Sequence, residues 1–292
     1  MAAGVAVPLL RKRLRIPKPV VTATSVAAPF ATVVALRRSR RRDVATVLMN
    51  MWGYIAHYEM PNDDPEALAR RVRIDYPVRI DRAIGLGRLP GVRSQRAFSR
   101  PGEITLLDKV LVWAHWLWFF FPHGTAVYLL VFKRDQFERG AAQIYAVFDI
   151  GVTAYWLIPT APPWYAAQQH RCDPDLRRLM IEHGEIFWKD RWDAMYGFLG
   201  GNPLAAMPSL HFATSVMAAR VLRDAGPVQG AFGWTYALTL GFALVHLGEH
   251  YVTDLIAGFA LAEGVRRAAP RATPFARAVS RRVQRLEALA HP

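Results

Sequence analysis

The chain has 292 residues and a formal charge of +14, from 37 Lys and Arg against 23 Asp and Glu. Its apolar residues fall in blocks with the charges between them, so the basic balance points to an anionic membrane. Nucleic acid is excluded as a partner, for there is no zinc-finger spacing and no glycine-rich RNA motif, and the single cysteine, Cys172, excludes an intrachain disulfide or a cysteine-based zinc cluster.

Residues 1–43 carry Arg11-Lys12-Arg13 and the run Arg37-Arg38-Ser39-Arg40-Arg41-Arg42. They read as a flexible basic cytoplasmic arm, with a short amphipathic helix over residues 27–36 on the membrane surface as the alternative. They lack the run of small residues that ends a cleavable signal peptide. The abundance of Arg over Lys points to a bacterial source. Residues 44–58 are apolar and open a membrane-embedded domain expected to span 44–265. Residues 59–105 form a charged interval broken by Pro61-Asn62-Asp63-Asp64-Pro65, with a helix predicted from Pro65 to about Asp75.

Residues 106–132 are a long apolar segment rich in Trp and Phe, which Pro122-His123-Gly124 is expected to kink. Residues 141–158 form the next span, with Asp149 inside it as a polar or helix-packing contact. Pro159-Thr160-Ala161-Pro162-Pro163 ends it. Residues 164–207 are a second polar interval with helical turns expected near 176–183. Three more apolar stretches follow at 209–222, 228–247 and 251–265, and residues 266–292 read as a basic amphipathic tail. The predicted fold is all-α: a polytopic membrane bundle of about six transmembrane helices, because helices satisfy their own backbone in lipid. With both termini taken as cytoplasmic, most of the basic residues fall on the cytoplasmic side, in keeping with the positive-inside rule. Residues 59–105 and 164–207 then become extracytoplasmic interfacial segments. The arginines of the first run against that rule and are read as flat helices on the outer headgroups. The opposite topology is the alternative.

The chemistry concentrates in the last third of the chain. Pro208-Ser209-Leu210-His211 opens one apolar helix and His250-Tyr251-Val252-Thr253-Asp254 opens another, with about one bilayer crossing between them. Two histidines and a carboxylate therefore meet at one membrane face, expected to be the extracytoplasmic one. A histidine can attack phosphorus when a carboxylate holds its far ring proton. His250 and Asp254, four positions apart, are expected on one helix face. His211 is placed to protonate a leaving oxygen. It lies in the first turn of its helix, after a Pro suited to the first helical position. The open N–H groups there form a phosphate cradle. Ser209 adds a hydroxyl, and Gly200-Gly201-Asn202-Pro203 is expected to fold against it. The plainer readings are interfacial histidines, a helix-face hydrogen bond and an ordinary serine cap. His115 and His123 read as structural, His246 as a packing or hydrogen-bonding residue, and Cys172 as an unpaired loop residue.

These residues resemble the type 2 phosphatidic acid phosphatase superfamily. Pro208-Ser209-Leu210-His211 and Gly248-Glu249-His250-Tyr251-Val252-Thr253-Asp254 look like its second and third signature motifs. Asn202-Pro203-Leu204-Ala205-Ala206-Met207 and Pro159-Thr160-Ala161-Pro162-Pro163-Trp164 are more similar to its inositol phosphorylceramide synthase-like branch. The resemblance implies His250 as the nucleophile of a phosphohistidine, Asp254 as its orienting partner and His211 as general acid. Ser209, with Asn202 and Pro208, would bind substrate. No metal or other cofactor is implied. Two departures stand out. The stretch from Tyr155 to Trp164 lacks the Lys and Arg of the first motif, and Leu244 stands where the third motif has an Arg. Transfer between lipid head groups gains weight, because a phosphodiester carries one charge fewer. Arg171, Arg177, Arg178, Lys189 and Arg191 are the candidates to fold back over the site.

The expected partners are a membrane lipid phosphate or phospholipid as substrate and a lipid or sugar as acceptor, in the bacterial cytoplasmic membrane. The sequence leaves the oligomeric state unassigned. Two other readings compete. One is a metal-dependent membrane hydrolase using His211, His250, Glu249 and Asp254 as ligands. The other is a non-catalytic transporter or scaffold for anionic lipid.

Overall fold

A computed structural model describes residues 1–100, 102–192 and 201–291. The chain divides into two units, residues 65–264 and a second made of residues 1–64 with 265–292.

The terminal unit is helical where composition suggests a flexible arm. It holds α1 (Ala2–Leu10), α2 (Lys18–Ala35) and α3 (Arg40–Glu59), packed on one another. Pro17 precedes α2, and the Ser39 hydroxyl caps α3 by accepting from Arg42 N at 3.2 Å. The arm expectation fails because its basic residues find carboxylates. Arg11 pairs with Glu59 at 2.8 Å and Asp63 at 3.0 Å. Arg42 pairs with Glu287 at 2.6 Å.

The central unit carries α4 (Pro65–Arg71), α5 (Asp75–Ile84), α6 (Pro90–Phe98), α7 (Leu106–Leu117), α8 (Phe121–Phe132), α9 (Arg134–Leu157), α10 (Pro163–Gln168) and α11 (Leu179–Trp188). After residues 193–200 come α12 (Leu210–Ala225), α13 (Pro227–His246) and the start of α14 (Val252–Ala290). Among the described residues no strand forms. Two isolated bridges tie Thr160 to Arg73 and to Ala205, which pins the Pro159–Ala161 turn between distant segments.

The centre of this unit is α12, packed against α13, α9 and α8. Ala213, Val216, Met217, Ala218 and Ala219 are all fully buried. Its small residues let neighbouring backbones approach closely, the way helices pack where lipid gives no hydrophobic drive. The long aromatic segment is broken at Pro122. Without an N–H, proline is best accommodated in a first helical turn, so α7 ends at Leu117 and α8 restarts at Phe121.

By length and composition two helices can cross a bilayer, Lys18–Ala35 and Pro227–His246, and Phe121–Phe132 is a shorter apolar helix. The first falls in the segment read as an arm. Several expected spans fall short in helix length: α7 and α8 have 12 residues each and α12 has 16. Large apolar side chains nonetheless point outward along the unit, among them Phe120, Phe132, Leu157, Val228, Phe232 and Leu238.

Candidate active site

Two helix starts build the site. At the first, Ser209 is the N-cap of α12, and its hydroxyl accepts from Phe212 N at 3.3 Å. The helix therefore begins at Leu210, and Pro208 lies before the cap rather than at the first helical position. Ser209 is fully buried, and its oxygen serves the cap; this is the plainer of the two roles expected of it. The Met207–Pro208 peptide is cis. The Pro208 carbonyl accepts from the Tyr155 hydroxyl at 2.8 Å, which fixes the entry to α12. Asn202 is also buried and works locally, its Oδ1 accepting from Leu204 N at 3.2 Å. Gly200, expected beside it, lies outside the described residues.

At the second start, α14 begins only at Val252, so His250 and Asp254 do not share a helical face. They meet by capping geometry. Asp254, in the first turn, reaches back so that Oδ2 accepts from Tyr251 N at 2.9 Å. The same oxygen lies 3.1 Å from His250 Nδ1. A carboxylate three residues into a helix is placed to satisfy an orphan N–H in this way. The turn into His250 is set by Gly248, with φ +79° and a close approach that would bring a Cβ within 2.5 Å of the Arg177 carbonyl. The N–H groups of Glu249 and His250 both donate to Leu244 O, at 3.1 and 3.0 Å.

The two starts are joined by one backbone bond, Ser209 N–H to Asp254 O at 3.0 Å. This junction brings His211 Nδ1 to 3.4 Å from His250 Nε2. The three residues His250, Asp254 and His211 thus converge. Asp254 is fully buried and His250 only 6% exposed. An ionised Asp254 accepts the Nδ1 proton of His250 and leaves the lone pair on Nε2, the nitrogen facing His211. The His211 ring lies 4.1 Å from that of Trp118 and 5.0 Å from that of His115. Trp118 is itself anchored through Nε1 to the Thr214 hydroxyl at 2.9 Å.

Several supporting residues have no signal in the sequence. Asp81 of α5 receives the N–H groups of Val252 and Thr253 at 2.8 and 2.9 Å, together with the Thr253 hydroxyl. It holds the start of α14 from 171 positions away, beyond the reach of any local pattern. His246 turns to Asp108, with Nε2 to Oδ1 at 2.8 Å, and to the Ser94 hydroxyl at 3.1 Å. Asp108 also completes a capping box with Thr105. The Thr-x-x-Asp spacing shows that box in the sequence, but not its histidine partner.

The basic candidates separate clearly. Arg171 pairs with Asp75 at 2.6 Å, and Arg177 binds Glu182 and the Arg100 carbonyl. Lys189 and Arg191 are exposed in a short turn. Arg178 directs its guanidinium to Glu249, the residue next to His250. Leu244, where the third motif has an Arg, is fully buried. Glu249, expected as a ligand in the metal reading, faces Arg178. Among the described residues no three His, Cys, Asp or Glu side chains are grouped to hold a metal ion.

With this geometry in place, comparison with known proteins is informative. The PAP2 superfamily model matches residues 78–265. The phosphoinositol dihydroceramide synthase of Bacteroides thetaiotaomicron is 31% identical over 149 residues, 46% of each chain. The match thus spans about half the length of that curated relative. No solved structure matches the chain.

Proposed function

The chain belongs to the PAP2 superfamily, in the part of it that resembles inositol phosphorylceramide synthases, and from that premise we propose that it is an integral membrane lipid phosphotransferase working through a phosphohistidine. The observation that carries this reading is the contact series Asp254 Oδ2, His250 Nδ1, His250 Nε2, His211 Nδ1, at 3.1 and 3.4 Å. In the first step His250 Nε2 attacks phosphorus and the bond from phosphorus to the leaving oxygen breaks. His211 gives that oxygen a proton, and Asp254 stabilises the charge left on His250. In the second step an acceptor hydroxyl loses its proton to His211 and attacks phosphorus, which frees His250. The His211 ring must swing from its 3.4 Å contact to admit the phosphoryl group.

Head-group transfer is favoured over hydrolysis by the missing motif cations and by the relative's name. A phospholipid such as a phosphoinositide diester would be the donor, and a lipid or sugar hydroxyl the acceptor. The outward apolar side chains of α8, α9 and α13 support a membrane bundle of about six spans, with the site at the extracytoplasmic face of a bacterial cytoplasmic membrane.

The test is purified full-length protein in detergent with dioleoyl phosphatidylinositol, dioleoyl phosphatidate and a ceramide acceptor. The expected activity is sensitive to vanadate, insensitive to chelators and lost in His250→Ala. Full activity of that variant refutes the mechanism. Free phosphate in place of a transferred head group makes the enzyme a phosphatase.

A further inference from the structure

The motif positions that usually hold phosphate with Arg and Lys are apolar here, yet a site for a phosphodiester needs a cation. We propose that Arg178, from outside all three motifs, supplies it and binds the phosphate oxygens of the substrate; this rests on the phosphotransferase reading above. Glu249 is the residue next to His250, and its carboxylate holds Arg178 through two bonds, Nε to Oε1 at 2.8 Å and Nη2 to Oε2 at 3.1 Å. Trp164 ends the stretch that takes the place of the first motif, and its ring lies 4.0 Å from the Arg178 guanidinium carbon. Two of the three motif segments thus grip one guanidinium, one at its edge and one on its face.

This is the geometry in which Arg differs from Lys. A planar fork, stacked on an aromatic ring and fixed by a carboxylate, is oriented before the substrate arrives. The pair is largely shielded, with side chains 20% and 11% exposed, so its charge is only partly screened by water. The backbone of the Glu249 anchor is fixed together with that of His250, because Glu249 N and His250 N share the Leu244 carbonyl. The guanidinium is therefore held by the residue next to the attacking histidine. The Arg178–Glu249 pair is neutral as a unit, so the guanidinium offers a phosphate its N–H donors rather than a spare charge, which suits the monoanion of a phosphodiester better than the dianion of a phosphomonoester. Arg178 would thus bind substrate and set its class, with Glu249 as the residue that positions it.

The experiment compares Arg178→Gln, Arg178→Lys, Glu249→Gln and His250→Ala in the full chain. Each is assayed on dioleoyl phosphatidylinositol and on dioleoyl phosphatidate, and each is melted with and without orthovanadate. Arg178→Gln is expected to lower kcat/KM on the diester by about 10²-fold, the scale for removing one fixed charge donor. It should also abolish the vanadate-induced rise in Tm, read against the variant's own vanadate-free Tm, which the loss of Glu249's partner is expected to lower. Arg178→Lys should recover about tenfold of that loss, since it restores charge without the fork. Glu249→Gln should cost less than Arg178→Gln and retain the vanadate response. The inference fails if Arg178→Gln keeps wild-type kcat/KM and vanadate response while His250→Ala is inactive; the phosphohistidine reading then stands. It fails also if Glu249→Gln matches Arg178→Gln and Lys restores nothing, for the pair is then a structural brace. Activity surviving in His250→Ala overturns the phosphotransferase reading instead. A wild-type protein with neither turnover nor vanadate response overturns both.

Discussion

Replacing Gly258 with alanine tests whether the junction of the two helix starts sets the catalytic geometry. Gly258 lies one turn after Asp254 on α14, where a Cβ would stand 2.6 Å from the Ser209 carbonyl oxygen of α12. An ordinary C–H···O contact is about 3.3 Å, so α14 must retreat by roughly 0.7 Å. That retreat acts on the bond from Ser209 N to Asp254 O, now 3.0 Å, and carries His250 away from His211. A misplacement of about 1 Å costs about 10²-fold in rate. Gly258→Ala should therefore lose roughly 10- to 100-fold in kcat, with KM little changed. Overpacking costs about 1–3 kcal/mol, and alanine's helix propensity offsets about 1 kcal/mol of it, so the fold should survive. The control is Gly264→Ala on the same helix, where an added Cβ meets nothing within 4 Å and activity should be unchanged. The assay is head-group transfer from phosphatidylinositol in mixed micelles, with helix content followed by circular dichroism. Wild-type kcat in a folded Gly258→Ala protein would refute the reasoning.

Asp254→Asn should retain the cap, because an amide oxygen still accepts from Tyr251 N, yet lower kcat by about 10³- to 10⁴-fold, as when a neutral amide replaces the carboxylate behind a catalytic histidine; an unfolded protein, or one with unchanged kcat, would contradict this. His246→Leu leaves the Asp108 carboxylate buried without its histidine and should cost about 3–5 kcal/mol, read as a lower denaturation midpoint; an unchanged midpoint would show that the pair is dispensable. Burial pushes the Cys172 thiol up to about 11, so its thiolate is present only as pH approaches that value. At pH 8 roughly one thiol in a thousand is ionised, and iodoacetamide should leave the native protein unlabelled while modifying the denatured one. Rapid native labelling would place Cys172 at an open surface.

The residues of the candidate site were legible in the sequence because each motif carries its own local physics. Ser209 caps a helix that must begin beside it, and Asp254 reaches a histidine only four positions away. The apolar blocks likewise pointed to helices, since no other element crosses lipid without closing a barrel, and no strand forms among the described residues. Their count was less legible. Residues 1–43 look basic and solvated, but α2, uncharged after Lys18, lies among them, and Arg11 finds carboxylates at Glu59 and Asp63. The manner of the His250–Asp254 contact was misread too: helical periodicity suggested a shared face, whereas the helix starts two residues later and a cap makes the contact.

Tertiary structure alone decided what holds those residues in place. Asp81 meets the start of α14 from 171 positions away, and His246 meets Asp108 from 138. Arg178 was one of five equivalent cations until folding set it between Trp164 and Glu249. Local sequence records which groups can cap, kink or ionise, because those properties depend on a few bonds of chain. It does not record which distant charge arrives beside them, because that depends on how every intervening helix packs.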